Sequence, residues 1–175
     1  MLDNLQKLAD DIGDLAMTVV ANEWKAQGHN LTGSAIKQME TMVNFQINTL
    51  IIEGLIPDYM AYNNSGVKAE RIPYYPGSGR KESEYIKGLM RYAKQRFGAS
   101  DKESKSIAFA IASKHKKEGM PTKASAKYSS TGKRTGFIET ALDKNSQKFI
   151  ELIENAIKFS VEVTIESYYK SILNR

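Results

Sequence analysis

The residues that could do chemistry in this sequence are few and widely spaced. There are two histidines, His29 and His115, and no cysteine. A Ser-His-Asp triad or a histidine-based metal site would have to include one of these two rings. His115 lies among Lys114, Lys116 and Lys117, and this cationic setting disfavours a further positive charge and repels a metal ion. We therefore expect His115 to be a surface histidine without a catalytic or metal-binding role.

Phosphate-binding and acidic motifs are also incomplete. Gly132-Lys133 lacks the earlier glycine of a phosphate-binding loop, because that position is Lys127, and Arg134 follows where Ser or Thr is required. Asp10 and Asp14 lie one turn apart on a predicted helix, but no further oxygen ligands are spaced to complete a cation shell. The sequence thus predicts no catalytic residue, no cofactor and no metal.

Aromatic side chains gather instead in the predicted loops. Tyrosine is favoured at protein interfaces because it supplies a large contact area with a polar group, and it also stacks on the bases of single-stranded nucleic acid. We favour the interface interpretation, since no strand carries an interleaved aromatic platform. The expected interface residues are Tyr59, Tyr62, Tyr74, Tyr75, Tyr128 and Phe137.

The net charge of +5 is unevenly distributed along the chain. Residues 1–60 carry a net charge of −5, residues 61–135 carry +11 and residues 136–175 carry −1. The basic block produces a positive field that extends about one Debye length, roughly 8 Å. It faces nucleic acid or an acidic partner, or it is a solvated surface without a ligand. The candidate DNA-facing residues are Lys114, Lys116, Lys117, Lys123, Lys127, Lys133 and Arg134.

Hydrophobic periodicity predicts the elements that position these residues. A helical stripe predicts a long amphipathic N-terminal helix that ends at Gly28. The alternation of residues 42–48 and the β-branched run 49–52 predict an antiparallel pair that turns near Ile47-Asn48, with Gly54 and Pro57 closing the second strand. From about Phe137 the spacing predicts a terminal helix roughly 50 Å long, with a break near Asn145-Ser146.

The middle of the chain interrupts this pattern. Residues 62–80 are rich in turn formers and predict a long loop. Two helices joined at residues 98–100, with a capping box formed by Ser100 and Glu103, predict a basic helical hairpin inserted over residues 80–127. Residues 119–135 are basic and poor in apolar side chains, so they predict an exposed arm.

Length and composition set the broad class. A chain of 175 residues with 41% hydrophobic and 26% charged side chains is typical of one globular domain. No apolar run approaches the roughly 18 residues of a membrane span, and we expect neither a membrane partner nor a targeting segment. We predict an α+β domain over residues 1–175: a small antiparallel sheet framed by long N- and C-terminal helices, with the inserted helical hairpin.

The order of several short motifs resembles the tail-completion, or neck, proteins of tailed bacteriophages. The motifs are Leu31-Thr32-Gly33-Ser34, then Asp58-Tyr59-Met60-Ala61-Tyr62 with Asn64-Ser65-Gly66, and finally the run 134–142 that opens the last helix. Gly136 stands where the family usually has Pro, and Met60 interrupts its Tyr-Ala pair. Residues 80–127 resemble the helical insertion of some short-tailed and crAss-like phage relatives.

The resemblance implies a structural function without chemistry. Proteins of this family form homo-oligomeric rings of six or twelve copies around the channel by which DNA leaves the head. The resemblance therefore implies a virion protein of the neck or tail, assembled in the host bacterial cytoplasm. Its implied partners are further copies of itself, the adjacent portal or connector and tail proteins, and the phosphate backbone of packaged DNA. The alternative is a sequence-nonspecific nucleic-acid-binding protein that uses the basic helical hairpin.

Overall fold

The computed structural model describes residues 2–46, 49–77 and 82–173. The described part is mostly helical and contains a two-stranded antiparallel sheet, which confirms the predicted α+β class. In chain order the elements are α1 (Leu2–Ala26), α2 (Ser34–Lys37), β1 (Glu40–Gln46), β2 (Thr49–Leu55), α3 (Asp58–Ser65), α4 (Glu84–Phe97), α5 (Asp101–Glu118), α6 (Phe137–Lys144) and α7 (Ser146–Leu173). Short 3-10 helices cover Ala69–Arg71 and Lys123–Tyr128.

Packing divides the chain into two compact units, whereas the sequence predicts a single domain over 1–175. Unit 1 comprises Met1–Glu23, Gln38–Ile56 and Ile138–Arg175, and unit 2 comprises Trp24–Lys37 and Pro57–Phe137. The predicted turn at Ile47-Asn48 and the first two residues of the predicted insertion lie outside the described residues. Unit 2 therefore contains the whole described part of the basic insertion.

In unit 1, glycine allows α1 to lie close to the hairpin. The strands pair from Glu40 opposite Leu55 to Gln46 opposite Thr49, so that Thr41 lies opposite Gly54. A β-carbon on Gly13 of α1 would lie 3.1 Å from Thr41 Cγ2, and one on Gly54 would lie 2.8 Å from Met17 Cε. Strand β2 ends at Leu55, between Gly54 and Pro57, as the sequence predicts.

The helical hairpin of unit 2 forms as its capping signals predict. Ser83 Oγ accepts a hydrogen bond from Ile86 N at 3.3 Å at the start of α4, and Gly98 ends that helix in the left-handed conformation. Ser100 and Glu103 form the predicted capping box of α5, with Ser100 N donating to Glu103 Oε2 at 2.9 Å. The two helices enclose Ile86, Ala108 and Ala112.

The described part of the predicted loop, residues 62–77, is more ordered than its composition indicates, and residues 78–80 lie outside the described residues. Helix α3 continues to Ser65, and Val67 and Met120 then exchange two backbone hydrogen bonds of 2.6 and 2.8 Å. A β-carbon on Gly119, which has φ +82°, would lie 2.7 Å from Val67 O. Glycine at this position therefore permits the close backbone contact with Val67. Turn-forming residues alone do not predict this contact, because its partners are far apart in the sequence.

An ion pair links α1 to α6 within unit 1. Lys144 Nζ lies 2.9 Å from Glu23 Oε2, and the Glu23 side chain is only 7% exposed. Replacing Lys144 with Gln removes one cation from the surroundings of the largely buried Glu23 carboxylate. We expect this to lower the free energy of unfolding by about 1–3 kcal/mol in urea titrations. Lys148→Gln, at an exposed position without an ion pair among the described residues, is the matched control and should cost almost nothing. Equal losses would contradict this role.

Candidate functional site

An aromatic core joins three separate stretches of unit 2. Trp24 at the end of α1 is 2% exposed, and its ring lies 4.5 Å from His29 and 5.0 Å from Phe137, measured between centroids. Tyr59 of α3 lies 6.4 Å from the same indole. Phe137 is 0% exposed, so the interface role expected for it is corrected to a core role. Its position next to the basic arm gave no sign of this burial.

His29 is held neutral inside this core. Its ring stacks on Trp24 at an interplanar angle of 27° and hydrogen-bonds to the backbone of Arg134. Burial, with a smaller contribution from the Arg134 charge, lowers the pKa of His29 to about 4. The ring is therefore uncharged at neutral pH, and its surroundings give it a packing role.

His115 is half-buried and hydrogen-bonded, which corrects the expectation of a surface histidine. Its Nδ1 lies 2.7 Å from Tyr85 Oη, next to the α4–α5 core. Burial lowers the pKa of His115, and burial also raises the pKa of Tyr85 to about 12. Both groups are neutral near pH 7, so their hydrogen bond fixes α4 against α5 without carrying a charge.

Of the two predicted acidic neighbours on α1, Asp10 and Asp14, Asp10 has a side-chain contact within the helix. Asp10 accepts a 2.9 Å hydrogen bond from Gln6 Nε2, one turn earlier. Across residues 2–46, 49–77 and 82–173, no group of three or more His, Asp and Glu side chains is arranged to hold a metal ion.

The predicted interface tyrosines divide into exposed and packed residues. Tyr59, Tyr62, Tyr75 and Tyr128 are between 44% and 62% exposed. Tyr74 is half-buried and packs against the α4–α5 core, with its ring 6.2 Å from that of Phe109. Four of the six expected interface residues are thus exposed.

The candidate DNA-facing cations also differ in their surroundings. Lys116 donates to Ile72 O at 3.1 Å and lies 4.9 Å from the centre of the Tyr75 ring, so it binds its own chain. Lys114 pairs with Glu118 at 2.8 Å. Lys117, Lys123, Lys127 and Lys133 are exposed. Exposure separates these four lysines from the internal cation Lys116, a distinction that the charge block could not make.

The basic arm is anchored by its backbone while about half of its residues are exposed. Ser130 N and Oγ both donate to Ala26 O, at 2.8 and 3.0 Å, and so satisfy a carbonyl at the end of α1. Arg134, a predicted DNA-facing residue, is half-buried and donates from Nη1 to Gly28 O at 3.3 Å. The segment is thus exposed, as the sequence predicts, but it is fixed to α1.

The long helix α7 carries a surface that sequence reasoning treated only as a packing stripe. None of its side chains is fully buried. One set of apolar residues recurs at spacings of three and four and covers about 120° of the helix circumference at 100° per residue. Its members are between 42% and 66% exposed. This α7 stripe consists of Ile150, Ile153, Ile157, Val161, Ile165, Tyr168 and Ile172.

Helix α7 also has a second apolar face, which is distinct from the stripe. Phe149, Leu152, Ala156 and Val163 lie on a different side of the helix and are half-buried. One such face is enough to hold an amphipathic helix on its own unit. Two apolar faces on one helix, separated by polar positions, are the signal that would have identified the stripe.

The anchor of the arm leads to a prediction about Gly28. Gly28 has φ +72°, and a β-carbon there would lie 2.0 Å from Tyr128 O. Gly28→Ala should lower the free energy of unfolding by about 3 kcal/mol or more, because left-handed strain and a backbone clash add together. Gly33→Ala is the control, with φ +76° and open space around it, and should cost about 1 kcal/mol. Equal losses in thermal melts would show that the contact with Tyr128 is unimportant.

The burial of His29 leads to a prediction about acid stability. The unfolded histidine binds a proton below its ordinary pKa of 6.5, whereas the folded one does so only near 4. The contribution of neutral His29 to the free energy of unfolding is therefore present above pH 6.5 and is lost as the pH falls toward 4. After allowance for partial exposure, we expect a loss of about 1 kcal/mol between pH 6.5 and 5. His29→Asn should flatten this slope in urea titrations followed by Trp24 fluorescence. An unchanged slope would assign the acid sensitivity to other groups.

Comparison with known proteins gives no assignment. No protein-family model, curated protein or solved structure matches the chain significantly. No helix in the described ranges is both long enough and apolar enough to cross a bilayer.

Proposed function

We propose that this chain is a structural subunit of a tailed bacteriophage. In this proposal it forms a homo-oligomeric ring of the neck or tail around the DNA exit channel. The order of sequence motifs supports the virion assignment by resemblance. The α7 stripe supports the oligomer and is the observation that carries the proposal, since a helix face of this kind needs an apolar partner.

The exposed area of the stripe fits a subunit interface. At the observed exposures, its seven side chains offer on the order of 700 Å² per copy, close to the roughly 800 Å² that each partner buries in a standard specific interface. A second copy of α7 is the occupant we propose, because it presents an equally long apolar surface. Glu154 and Lys158 next to the stripe are exposed and can form ion pairs across such a contact.

The period of the stripe indicates how copies of α7 would pack. Six steps from Ile150 to Ile172 span 22 residues, about 3.67 residues per turn. This period is close to that of a straight helix, whereas a strict heptad repeat of 3.5 imposes a left-handed supercoil. Copies of α7 can therefore stand side by side with little coiling, as helices around a ring axis would.

Substitution at the centre of the stripe tests the oligomer. Ile157 is 59% exposed, so Ile157→Glu should leave the subunit folded. In an assembled contact the same charge would be buried, and we expect the dissociation constant to rise by about 100-fold or more. Asn155→Glu introduces the same charge on the polar side of α7 and is the matched control. The masses of both variants are compared with wild type by native mass spectrometry up to near-millimolar subunit concentration.

Two results would contradict the proposal. If Ile157→Glu and Asn155→Glu assemble to the same extent as wild type, the α7 stripe is not the contact. If an antibody against the chain fails to label the neck or tail of particles whose genome encodes it, the virion assignment is wrong.

One observation favours the alternative, a nucleic-acid-binding protein. The described part of unit 2 contains exposed lysines without ion pairs, including Lys117, Lys123 and Lys133. The isolated monomer would then bind DNA with an affinity that falls steeply with salt, whatever its state of assembly. A monomer that binds DNA tightly, together with an Ile157→Glu variant of unchanged mass, would favour this alternative.

A further inference from the structure

Two cations lie over one exposed tyrosine ring at the end of the second 3-10 helix. Arg96 Cζ is 5.7 Å and Lys127 Nζ is 5.1 Å from the centre of the Tyr128 ring. The ring is 45% exposed, and both cationic side chains are also exposed. Cation–π attraction of this kind holds charged groups in place while leaving their hydrogen-bond donors free for a ligand.

A third cation lies next to this pair. Arg134 is fixed by its bond to Gly28 O, and its Nε atom is buried without a hydrogen-bond partner among the described residues. Burial lowers the pKa of Arg134, and the charge of Arg96 acts in the same direction, while Tyr92 and Tyr128 oppose it. Arg96, Lys127, Tyr128 and Arg134 together are called the Tyr128 patch.

No carboxylate compensates the patch in the described part of the chain. The ion pairs found there engage other cations, among them Lys94 with Asp101 and Lys105 with Glu82. The patch therefore keeps three positive charges within one small region of a single unit. Such a region attracts an anion of matching size.

The flanking residues favour a nucleic acid over an acidic protein. Tyr92 and Phe97 are 38% and 52% exposed, and their rings meet edge to face at 6.0 Å. Arginine donors match phosphate oxygens in planar pairs, and exposed aromatic rings stack on bases. Aromatic rings also occur at protein interfaces, so an acidic protein is one of the outcomes that the test separates.

We propose that the Tyr128 patch binds the phosphate backbone of nucleic acid. Arg96 and Lys127 are the contacting cations, Tyr128 holds them in place, and Arg134 adds a fixed positive charge behind them. The binding reads no sequence, because backbone contacts carry none. Lys127 and Arg134 are among the predicted DNA-facing residues, whereas Arg96, in the last turn of α4, is not.

This inference deepens the DNA-facing part of the proposed function, and it is measured separately from assembly. DNA binding is followed by fluorescence anisotropy of a labelled 20-base-pair duplex and a 20-nucleotide single strand, and the subunit mass is recorded in parallel. A chain that assembles without binding DNA refutes the inference alone. A chain that binds DNA through this patch without assembling refutes the ring alone.

The test removes two charges from the patch with Arg96→Gln and Lys127→Gln combined. We expect affinity near 0.1 M salt to fall by about tenfold or more, and the slope of log affinity against log salt to decrease by about 2. Lys37→Gln with Lys68→Gln is the matched control. It removes the same charge from exposed lysines of unit 2 that have no ion pair among the described residues and are not DNA-facing candidates. In the control, the slope of log affinity against log salt should change by at most about half as much.

Three outcomes would overturn the inference. The first is no binding by the wild-type chain to either labelled DNA at low salt. The second is an equal loss in both double variants, which would assign binding to net charge alone. The third is competition by polyglutamate at the same charge concentration as DNA, which would identify an acidic protein as the partner. Circular dichroism of each variant confirms that the fold is retained.

Discussion

The packing of Trp24 is the interaction on which unit 2 depends. The indole contacts His29, Tyr59 and Phe137, which come from three stretches of sequence separated by tens of residues. These contacts bring the end of α1, the start of α3 and the start of α6 to one place. The anchoring of the basic arm follows from this arrangement, since its last part leads from Tyr128 toward Phe137 and bonds to the carbonyls at the end of α1. A core residue thus determines where the exposed cations lie.

The two surfaces of interest belong to different units and have different chemistry. The α7 stripe in unit 1 is apolar and long, and it suits another helix. The Tyr128 patch in unit 2 is small and cationic, and it suits an anion. Because each surface is defined by contacts within its own unit, each can be altered without disturbing the other. This separation is compatible with a subunit that binds its own copies and a nucleic acid at the same time.

Local signals in the sequence predicted local structure well. The capping box of Ser100 and Glu103, the break at Asn145 and the end of α1 near Gly28 are confirmed, because each depends on residues a few positions apart. Long-range contacts were not predictable in this way. Nothing in the spacing of Val67 and Met120 indicates that their backbones pair, and Phe137 was assigned to the surface for the same reason.

The candidate surfaces were predicted only in part. The charge block identified the basic region but could not separate Lys116, which bonds to its own backbone, from the free lysines. Periodicity identified the apolar residues of α7 but could not tell whether their partner lies in the same chain. Both failures have one cause: composition and spacing describe what a side chain prefers, not which neighbour supplies it.

The place of α7 in the chain order has a consequence for biosynthesis. A ribosome synthesises α1 and the β1–β2 hairpin of unit 1 before α7. These elements are therefore available for packing before α7 emerges. The hairpin can therefore pack on α1 before the apolar residues of α7 compete for the same surface.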